Sequence, residues 1–158
     1  MINKIVIISN GHGEDSIAVN LVKAIQKQVP KSNITVIPLV GSGEAYTQVG
    51  LVAAIKNPIF PSAGFIRTVP DALKDINSGL ISHTIKQRKL IKKLAKNADI
   101  CIGVGDVFCL WMAHAAKLDK LYFLPTAKSD YFMAHSAFER WYIKKVVKIT
   151  FPRDQQMP

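Results

Sequence analysis

The chain has 158 residues, of which 49% are apolar and 20% are charged. This composition excludes a disordered or fibrous protein and predicts one globular domain with a sizeable core. The 21 lysine and arginine residues outnumber the 11 acidic residues and give a net charge of +10. Such a charge is typical of a protein with an anionic partner, although a solvated basic surface is an equal alternative. No nucleic-acid partner is expected, because no recognisable nucleic-acid-binding motif is present.

Cysteine and histidine usage gives no sign of a metal site. Cys101 and Cys109 lie in apolar segments without metal-ligand spacing, so we expect buried free thiols, as in a reducing compartment. Three histidines also lack mutual metal-ligand spacing: His83, His114 and His135.

Neither a signal peptide nor a membrane span is expected. Met1 runs almost directly into an apolar strand, which predicts a cytoplasmic protein. The longest apolar stretch, residues 100–116, contains Asp106 and is short for a membrane span, so a strand followed by a helix is the better interpretation.

The first elements along the chain are a strand and a helix joined by a polar loop. Residues 4–8 are apolar and mostly β-branched, which predicts a buried strand. Ile17, Leu21 and Ile25 recur every four residues and predict an amphipathic helix. The loop between them reads Ser-Asn-Gly-His-Gly-Glu-Asp over residues 9–15.

The remaining elements continue the alternation of strands and helices. Apolar runs predict strands over 33–40, 51–55, 99–104, 120–124 and 146–151, and periodicity predicts helices over 69–79, 80–97, 107–116 and 136–145. The pattern predicts an α/β fold, a Rossmann-like open parallel sheet with helices on both faces. Ligands bind such sheets at the carboxyl ends of the strands. Four polar or glycine-containing loops are expected at that edge: 10–15, 41–44, 105–106 and 126–130.

The first of these loops has the composition of a polar-ligand site. Free N–H groups of the first helical turn point into it, and its glycines permit close approach of a ligand to the backbone. The spacing is not that of a dinucleotide motif, and Glu14 and Asp15 would repel a phosphate. Asp15 or Ser16 as a simple helix N-cap is the structural alternative, but capping does not explain a histidine flanked by glycines.

Two side chains are candidates for catalysis. His12 is predicted to act as a general base toward an acceptor hydroxyl or to donate a hydrogen bond to a phosphate, with a structural hydrogen bond as the alternative. Asp106 directly follows a buried strand and is its candidate acidic partner, either as base or as the group that orients His12. An N-cap for the helix from Val107 is at least as good an interpretation of Asp106.

Six short strings occur in one order along the chain: 9–15, Pro-Leu-Val-Gly-Ser-Gly-Glu-Ala-Tyr at 38–46, Ser-Ala-Gly-Phe at 62–65, Val-Gly-Asp at 104–106, Thr-Ala-Lys-Ser-Asp-Tyr at 126–131 and Pro-Arg-Asp at 152–154. Together they resemble the lipid-A-disaccharide-synthase-related proteins, relatives of the GT-B glycosyltransferases. Each string is weak alone, but their order along the whole chain is specific.

The resemblance implies the N-terminal half of a hexosyltransferase-type enzyme that uses a nucleotide-sugar as co-substrate, with no other cofactor and no metal. It implies that residues 1–151 form the acceptor-side domain and that residues 152–158 begin a linker to a donor-binding domain or subunit. The acceptor is expected to be lipid-linked or amphiphilic. The isolated chain is expected to be inactive, and a non-catalytic interaction module or an acceptor subunit of a split transferase remain alternatives.

Further candidate residues line the predicted cleft or flank it. The substrate-binding candidates are Asn10, Gly11, Gly13, Glu14, Asp15, Gly43, Lys128, Ser129 and Asp130; ordinary turn formation is an equal alternative for the last three. Arg153 and Asp154 are candidates for contact with the second domain or the donor, or form an exposed tail.

A membrane-facing surface is also predicted. A lysine stripe follows an apolar loop along the chain. Together the two are expected to bind an anionic membrane reversibly, at the inner face of the cell membrane. The residues are Phe65, Lys86, Lys89, Lys93 and Lys96. The alternative is a buried Phe65 and lysines that only confer solubility.

Overall fold

A computed structural model describes residues 2–54, 80–114, 121–126, 137–146 and 149–150. Its strands are β1 (Lys4–Ser9), β2 (Asn33–Pro38), β3 (Ile100–Gly105), β4 (Leu121–Pro125) and β5 (Ile149–Thr150). Its α-helices are α1 (His12–Gln28), α2 (Leu80–Leu94), α3 (Val107–His114) and α4 (Ala137–Val146), and a 3₁₀ helix, η1, covers Glu44–Val49.

The described strands form one parallel sheet in the order β2-β1-β3-β4-β5. Alternate residues of β1 point to opposite sides, as a pleated strand requires. Ile5 and Ile7 pack in a cluster with residues of α1 and η1, whereas Val6 and Ile8 pack in a second cluster with residues of α2 and α3. This confirms the predicted Rossmann-like α/β fold with helices on both faces of the sheet.

One prediction about the region after β2 is wrong. Residues 51–54 of the predicted third strand have no strand structure, although the Ala54 N–H bonds to the carbonyl of Val36 at 3.0 Å. The turn at 41–43 leads instead into η1, which buries Tyr46 completely against α1 and the sheet. The predicted helix over 69–79 lies outside the described residues.

The first helix begins earlier than capping by Asp15 or Ser16 requires. α1 starts at His12, its N-cap is Gly11, and no side chain in the described part of the chain caps it. Asp15 is therefore in the first turn and is almost fully buried, so the N-cap interpretation of residues 15 and 16 is wrong. With no side-chain oxygen on Gly11, the free N–H groups of this turn stay open to another acceptor.

The described core contains both cysteines as free, buried thiols, as the sequence predicts. Burial raises the pKa of Cys101 to about 12, and burial also raises that of Cys109. Both thiols are therefore poor nucleophiles. Among the described helices, none has the length and apolarity to cross a membrane.

Candidate functional site at the carboxyl edge of the sheet

The strand order places a topological switch point between β1 and β3. From β1 the chain moves to β2 on one side, then returns to β3 on the other side. The helices that follow β1 and β3 pack on opposite faces of the sheet, and open α/β sheets bind ligands in the crevice that such a switch point creates at the carboxyl ends of the strands.

The predicted loops meet at this crevice. A Cβ atom added at Gly105 would lie only 2.9 Å from the Cβ of Asn10, so the turns after β1 and β3 are in contact. The Thr126 hydroxyl, directly after β4, donates a hydrogen bond to Glu14 Oε1 at 3.2 Å. The prediction that Asn10–Asp15 and Asp106 lie at the same edge of the sheet is thus confirmed.

His12 is the first residue of α1, and its side chain is exposed. Its ring lies against the loop after β2, because a Cβ added at Gly41 would be 3.0 Å from His12 Cε1. Gly41 also has a φ of +83°, which favours glycine. Gly41 therefore allows the imidazole to approach the backbone of the loop after β2 closely.

A buried polar network supports the turn from below. The Ser9 hydroxyl donates to Asp15 Oδ1 at 2.5 Å and is 2.7 Å from the Tyr46 hydroxyl. Burial raises the pKa of Asp15, while the Ser9 hydrogen bond and the nearby His12 oppose the rise. Burial likewise raises the pKa of Tyr46, so the phenol stays neutral and can donate to Ser9.

The second oxygen of Asp15 is buried and has no hydrogen-bond partner among the described residues. A buried carboxylate oxygen without a hydrogen-bond partner lowers the stability of the fold. Native proteins retain such a group chiefly where it belongs to a functional site or holds a proton. Asp15 is thus joined to the fold on one oxygen only, directly below the turn that carries His12.

Asp106 has a structural partner. Its Oδ1 accepts a hydrogen bond from the Cys109 N–H at 3.0 Å, which is the N-cap interaction that the sequence offered as the alternative. The side chain is half-buried in the turn that meets Asn10. Asp106 therefore lies at the predicted edge of the sheet, and one of its carboxylate oxygens is already used to cap α3.

Gly13 differs from the other glycines at this edge. A Cβ added there would meet nothing within 4 Å, and its φ is not positive. The residue is exposed in the first turn of a helix, where glycine is a weaker helix former than alanine. Neither packing nor backbone conformation explains this glycine, whereas close approach of a ligand to the helix N-terminus would.

Gly43 has a structural explanation. It is the N-cap of η1 with a φ of +68°, and a Cβ there would lie 2.7 Å from Pro38 Cγ. Lys86, Lys89, Lys93 and Lys96 are exposed on or just beyond α2. Several candidates lie outside the described residues: Phe65, Lys128, Ser129, Asp130, Arg153 and Asp154.

Sequence reasoning missed Tyr46 and underrated Ser9. Ser9 ends an apolar strand and is the only hydroxyl residue in it, which was an available signal for a buried polar contact. Tyr46 lies 37 residues away and joins the network only through η1. Among the described residues, no cluster of three histidine, cysteine, aspartate or glutamate side chains could hold a metal ion.

The sequence matches no protein-family profile and no curated protein. Its structure is similar to that of a Listeria monocytogenes protein assigned as a UDP-N-acetylglucosamine 2-epimerase, with a TM-score of 0.59 and 18% identity. The match covers 96% of this chain but only 39% of the other, so the chain spans about two fifths of that protein's length. This likeness supports a GT-B-like fold for the chain and nothing finer.

Proposed function

We propose that the chain is the acceptor-binding half of a GT-B-like glycosyltransferase, related to the lipid-A-disaccharide synthases. The observation that carries the proposal is His12, an exposed imidazole at a helix N-terminus at the carboxyl edge of the sheet, beside the switch point. Gly13 beside it leaves the backbone open without a structural reason. The ordered motifs of the sequence support the relation to this family, and the GT-B-like fold agrees with it.

In the proposed reaction His12 acts as the general base. Its neutral imidazole accepts the proton of an acceptor hydroxyl while that oxygen bonds to the anomeric carbon of the donor sugar. The bond from that carbon to the phosphate oxygen of the donor breaks, and the nucleoside diphosphate leaves with the electron pair. The N–H groups of the first turn of α1 bind a polar group of the acceptor.

The donor is proposed to be a nucleotide-sugar held by a second domain or subunit. The structural neighbour has more than twice the length that this chain covers, which supports a partner of domain size. Asn10, Gly11 and Glu14 then contact the acceptor, and Lys128, Ser129 and Asp130, which follow β4 in the sequence, are proposed to contribute as well. Arg153 and Asp154 are proposed to face the second half.

A non-catalytic interaction module is the second candidate. The partners of the two acidic side chains favour this candidate. Asp106 caps α3 and Asp15 bonds to Ser9, and no hydrogen bond among the described residues joins either carboxylate to His12. In that case the crevice binds a partner protein, and no sugar is transferred.

One experiment separates these functions. The protein is purified from its native cell with whatever is bound to it and weighed by mass spectrometry. It is then incubated with labelled nucleotide-sugars and the lipid extract of the same cell. We expect label in a lipid product, and His12→Gln is expected to lower the rate about 100-fold or more, since general bases contribute that much.

The matched control is His114→Gln, which changes an exposed histidine at the end of α3, away from the crevice. It is expected to retain the rate. Absence of transfer with every donor, or equal rates for the two variants, would reject the enzyme and favour the interaction module.

A further inference from the structure

An aromatic and basic surface covers the outer side of the helical layer formed by α2, α3 and α4. α3 exposes Phe108 and Trp111, and α4 exposes Phe138 and Trp141. The exposed fraction is 67% for Phe138 and 55% for Trp141, which is large for rings of this size. Monomeric soluble proteins rarely display several large apolar side chains together unless they bind something there.

The four rings are arranged as one patch across two helices. Phe108 and Trp111 have centroids 5.8 Å apart, and those of Phe138 and Trp141 are 5.9 Å apart. Phe138 lines a shallow hollow together with Phe108 and Trp111, so the pairs adjoin. Residues three apart share a helix face, which explains why the two rings of each pair lie side by side.

Cations lie on the rings themselves. The Arg88 guanidinium is 4.1 Å from the centroid of Trp111, and Lys145 Nζ is 4.9 Å from that of Trp141. The contact of Arg88 shows which side of α2 faces α3. Lys92 lies one turn further along that side and is exposed, which adds a third cation.

The lysine stripe predicted from the sequence is displaced from this patch. At 100° per residue, Lys86 and Lys93 lie on the opposite flank of α2 from Arg88. The predicted docking surface therefore differs from the one that exposes aromatic rings, which we call the aromatic–basic surface: Arg88, Lys92, Phe108, Trp111, Phe138, Trp141 and Lys145.

The geometry points to an anionic lipid bilayer as the partner of the aromatic–basic surface. Aromatic rings settle at the headgroup level of a bilayer, and adjacent lysine and arginine side chains bind anionic headgroups. A second copy of the chain fits less well, because a surface with three cations would face the same charges on its twin in a chain of net charge +10. Stacking of nucleic-acid bases is disfavoured, because cations already cover one face of each tryptophan.

The orientation of the helices connects this surface to the crevice. Phe108 and Phe138 lie near the starts of α3 and α4, and α3 starts at the carboxyl end of β3. The aromatic–basic surface thus begins at the edge of the sheet that carries His12. Delivery of a lipid-linked acceptor from the bilayer rests on the proposed function, whereas bilayer docking itself does not.

The two tryptophans of the chain both belong to this surface, so intrinsic fluorescence reports on it directly. The chain is mixed with vesicles of phosphatidylglycerol and phosphatidylcholine in equal parts, or of phosphatidylcholine alone. We expect a blue shift of the tryptophan emission with the anionic vesicles, quenching by brominated lipid, and release at high salt. Absence of binding, or binding without quenching, would overturn the proposal.

Two double variants, each with a control, test the location of the surface. Phe138→Ser with Trp141→Ser is expected to lower vesicle partitioning about tenfold or more, while Val52→Ser, at another exposed apolar residue, leaves it unchanged. Lys92→Glu with Lys145→Glu is likewise expected to lower it about tenfold or more. The control of equal charge change, Lys86→Glu with Lys93→Glu, is expected to have the smaller effect.

Every one of these positions is exposed, so the variants are expected to fold, and a circular dichroism melt checks this. An equal or larger effect of the Lys86 and Lys93 pair would overturn the location. A blue shift without vesicles, accompanied by dimers in analytical ultracentrifugation, would replace the bilayer by a second copy. These readouts do not involve sugar transfer, so docking and the proposed enzyme can fail separately.

Discussion

The turns after β1 and β3 occupy equivalent places on the two sides of the switch point, but they use their acidic side chains differently. The turn after β3 commits Asp106 to capping α3 through the Cys109 N–H. The turn after β1 leaves α1 without a side-chain cap and withdraws Asp15 below the surface, where it bonds to Ser9. One turn completes its helix, whereas the other leaves open N–H groups and an exposed imidazole.

This contrast indicates which side of the crevice is available for a ligand. A capped helix end has one of its free donors already satisfied, whereas an uncapped end keeps them for water or a bound acceptor group. Gly13 extends this contrast, because it adds an unobstructed backbone to the turn after β1. Polar-ligand binding is therefore expected mainly on the β1 side, with the β3 side as its wall.

The largest expected effect comes from forcing the two turns apart. In Gly105→Ala the new Cβ would lie 2.9 Å from Asn10 Cβ and 3.1 Å from Cys109 Cβ, at a φ of +151°. Strain and crowding of this kind cost about 2–3 kcal/mol of the free energy of unfolding. Urea denaturation measures the loss.

Gly103→Ala is the matched control in the same strand. Its Cβ would meet atoms at ordinary contact distances of 3.5 Å and beyond. Its stability loss is expected to be the smaller of the two. If the order is reversed, contact between the turns does not explain Gly105.

The cap on the β3 side predicts the next largest effect. Asp106→Ala removes the acceptor of the Cys109 N–H and should cost about 1 kcal/mol of stability. Asp106→Asn retains a capping oxygen and should stay within a few tenths of a kcal/mol of the parent. Thermal melts at neutral pH measure both.

The same pair tests the role of Asp106 in the proposed reaction. If the side chain only caps α3, Asp106→Asn keeps the sugar-transfer rate. A large loss of rate in this stable variant would show that the carboxylate takes part in the chemistry, and the contrast between the turns would weaken.

Asp15 predicts a dependence of stability on pH. Because its pKa in the folded protein is raised above 3.8, the folded state holds the proton more tightly than the unfolded state. The contribution of Asp15 to stability is therefore greatest below pH 3.8 and declines as the pH rises through the raised value. Asp15→Asn should remove this decline.

The measurement is the denaturation midpoint as a function of pH for the parent and Asp15→Asn. The difference between the two proteins is expected to change in favour of the variant as the pH rises. A constant difference across this range would contradict the burial of an ionisable Asp15. Glu44→Gln is the control, since that carboxylate is exposed and should not reproduce the change.

The sequence predicted the sheet and the meeting of the loops because both follow from local patterns. Apolar β-branched runs specify buried strands, and parallel strands bring their carboxyl ends to one edge. The start of α1 was misplaced because Gly11 begins the helix without a side-chain cap, so the usual N-terminal signal is absent.

The buried hydrogen-bond network of Ser9, Asp15 and Tyr46 could not be predicted from the sequence. Tyr46 reaches Ser9 only because η1 forms over residues 44–49, where the sequence predicts no helix or strand. The short segment 44–49 has no periodicity that distinguishes a 3₁₀ helix from a loop. Spatial partners of a buried hydroxyl cannot be derived from spacing along the chain.

The smallest expected change in stability is the one that most sharply separates the two turns. Gly13→Ala adds a Cβ into open space in the first turn of α1, and replacing glycine by alanine in a helix is expected to raise stability by at most about 1 kcal/mol. Structure alone therefore makes this substitution neutral or favourable. If the glycine exists to let an acceptor approach the backbone beside His12, the same methyl group should lower sugar transfer about tenfold or more by blocking that approach. A variant at least as stable as the parent but slow in transfer would assign Gly13 to the ligand, whereas an unchanged rate would show that no ligand comes near this turn.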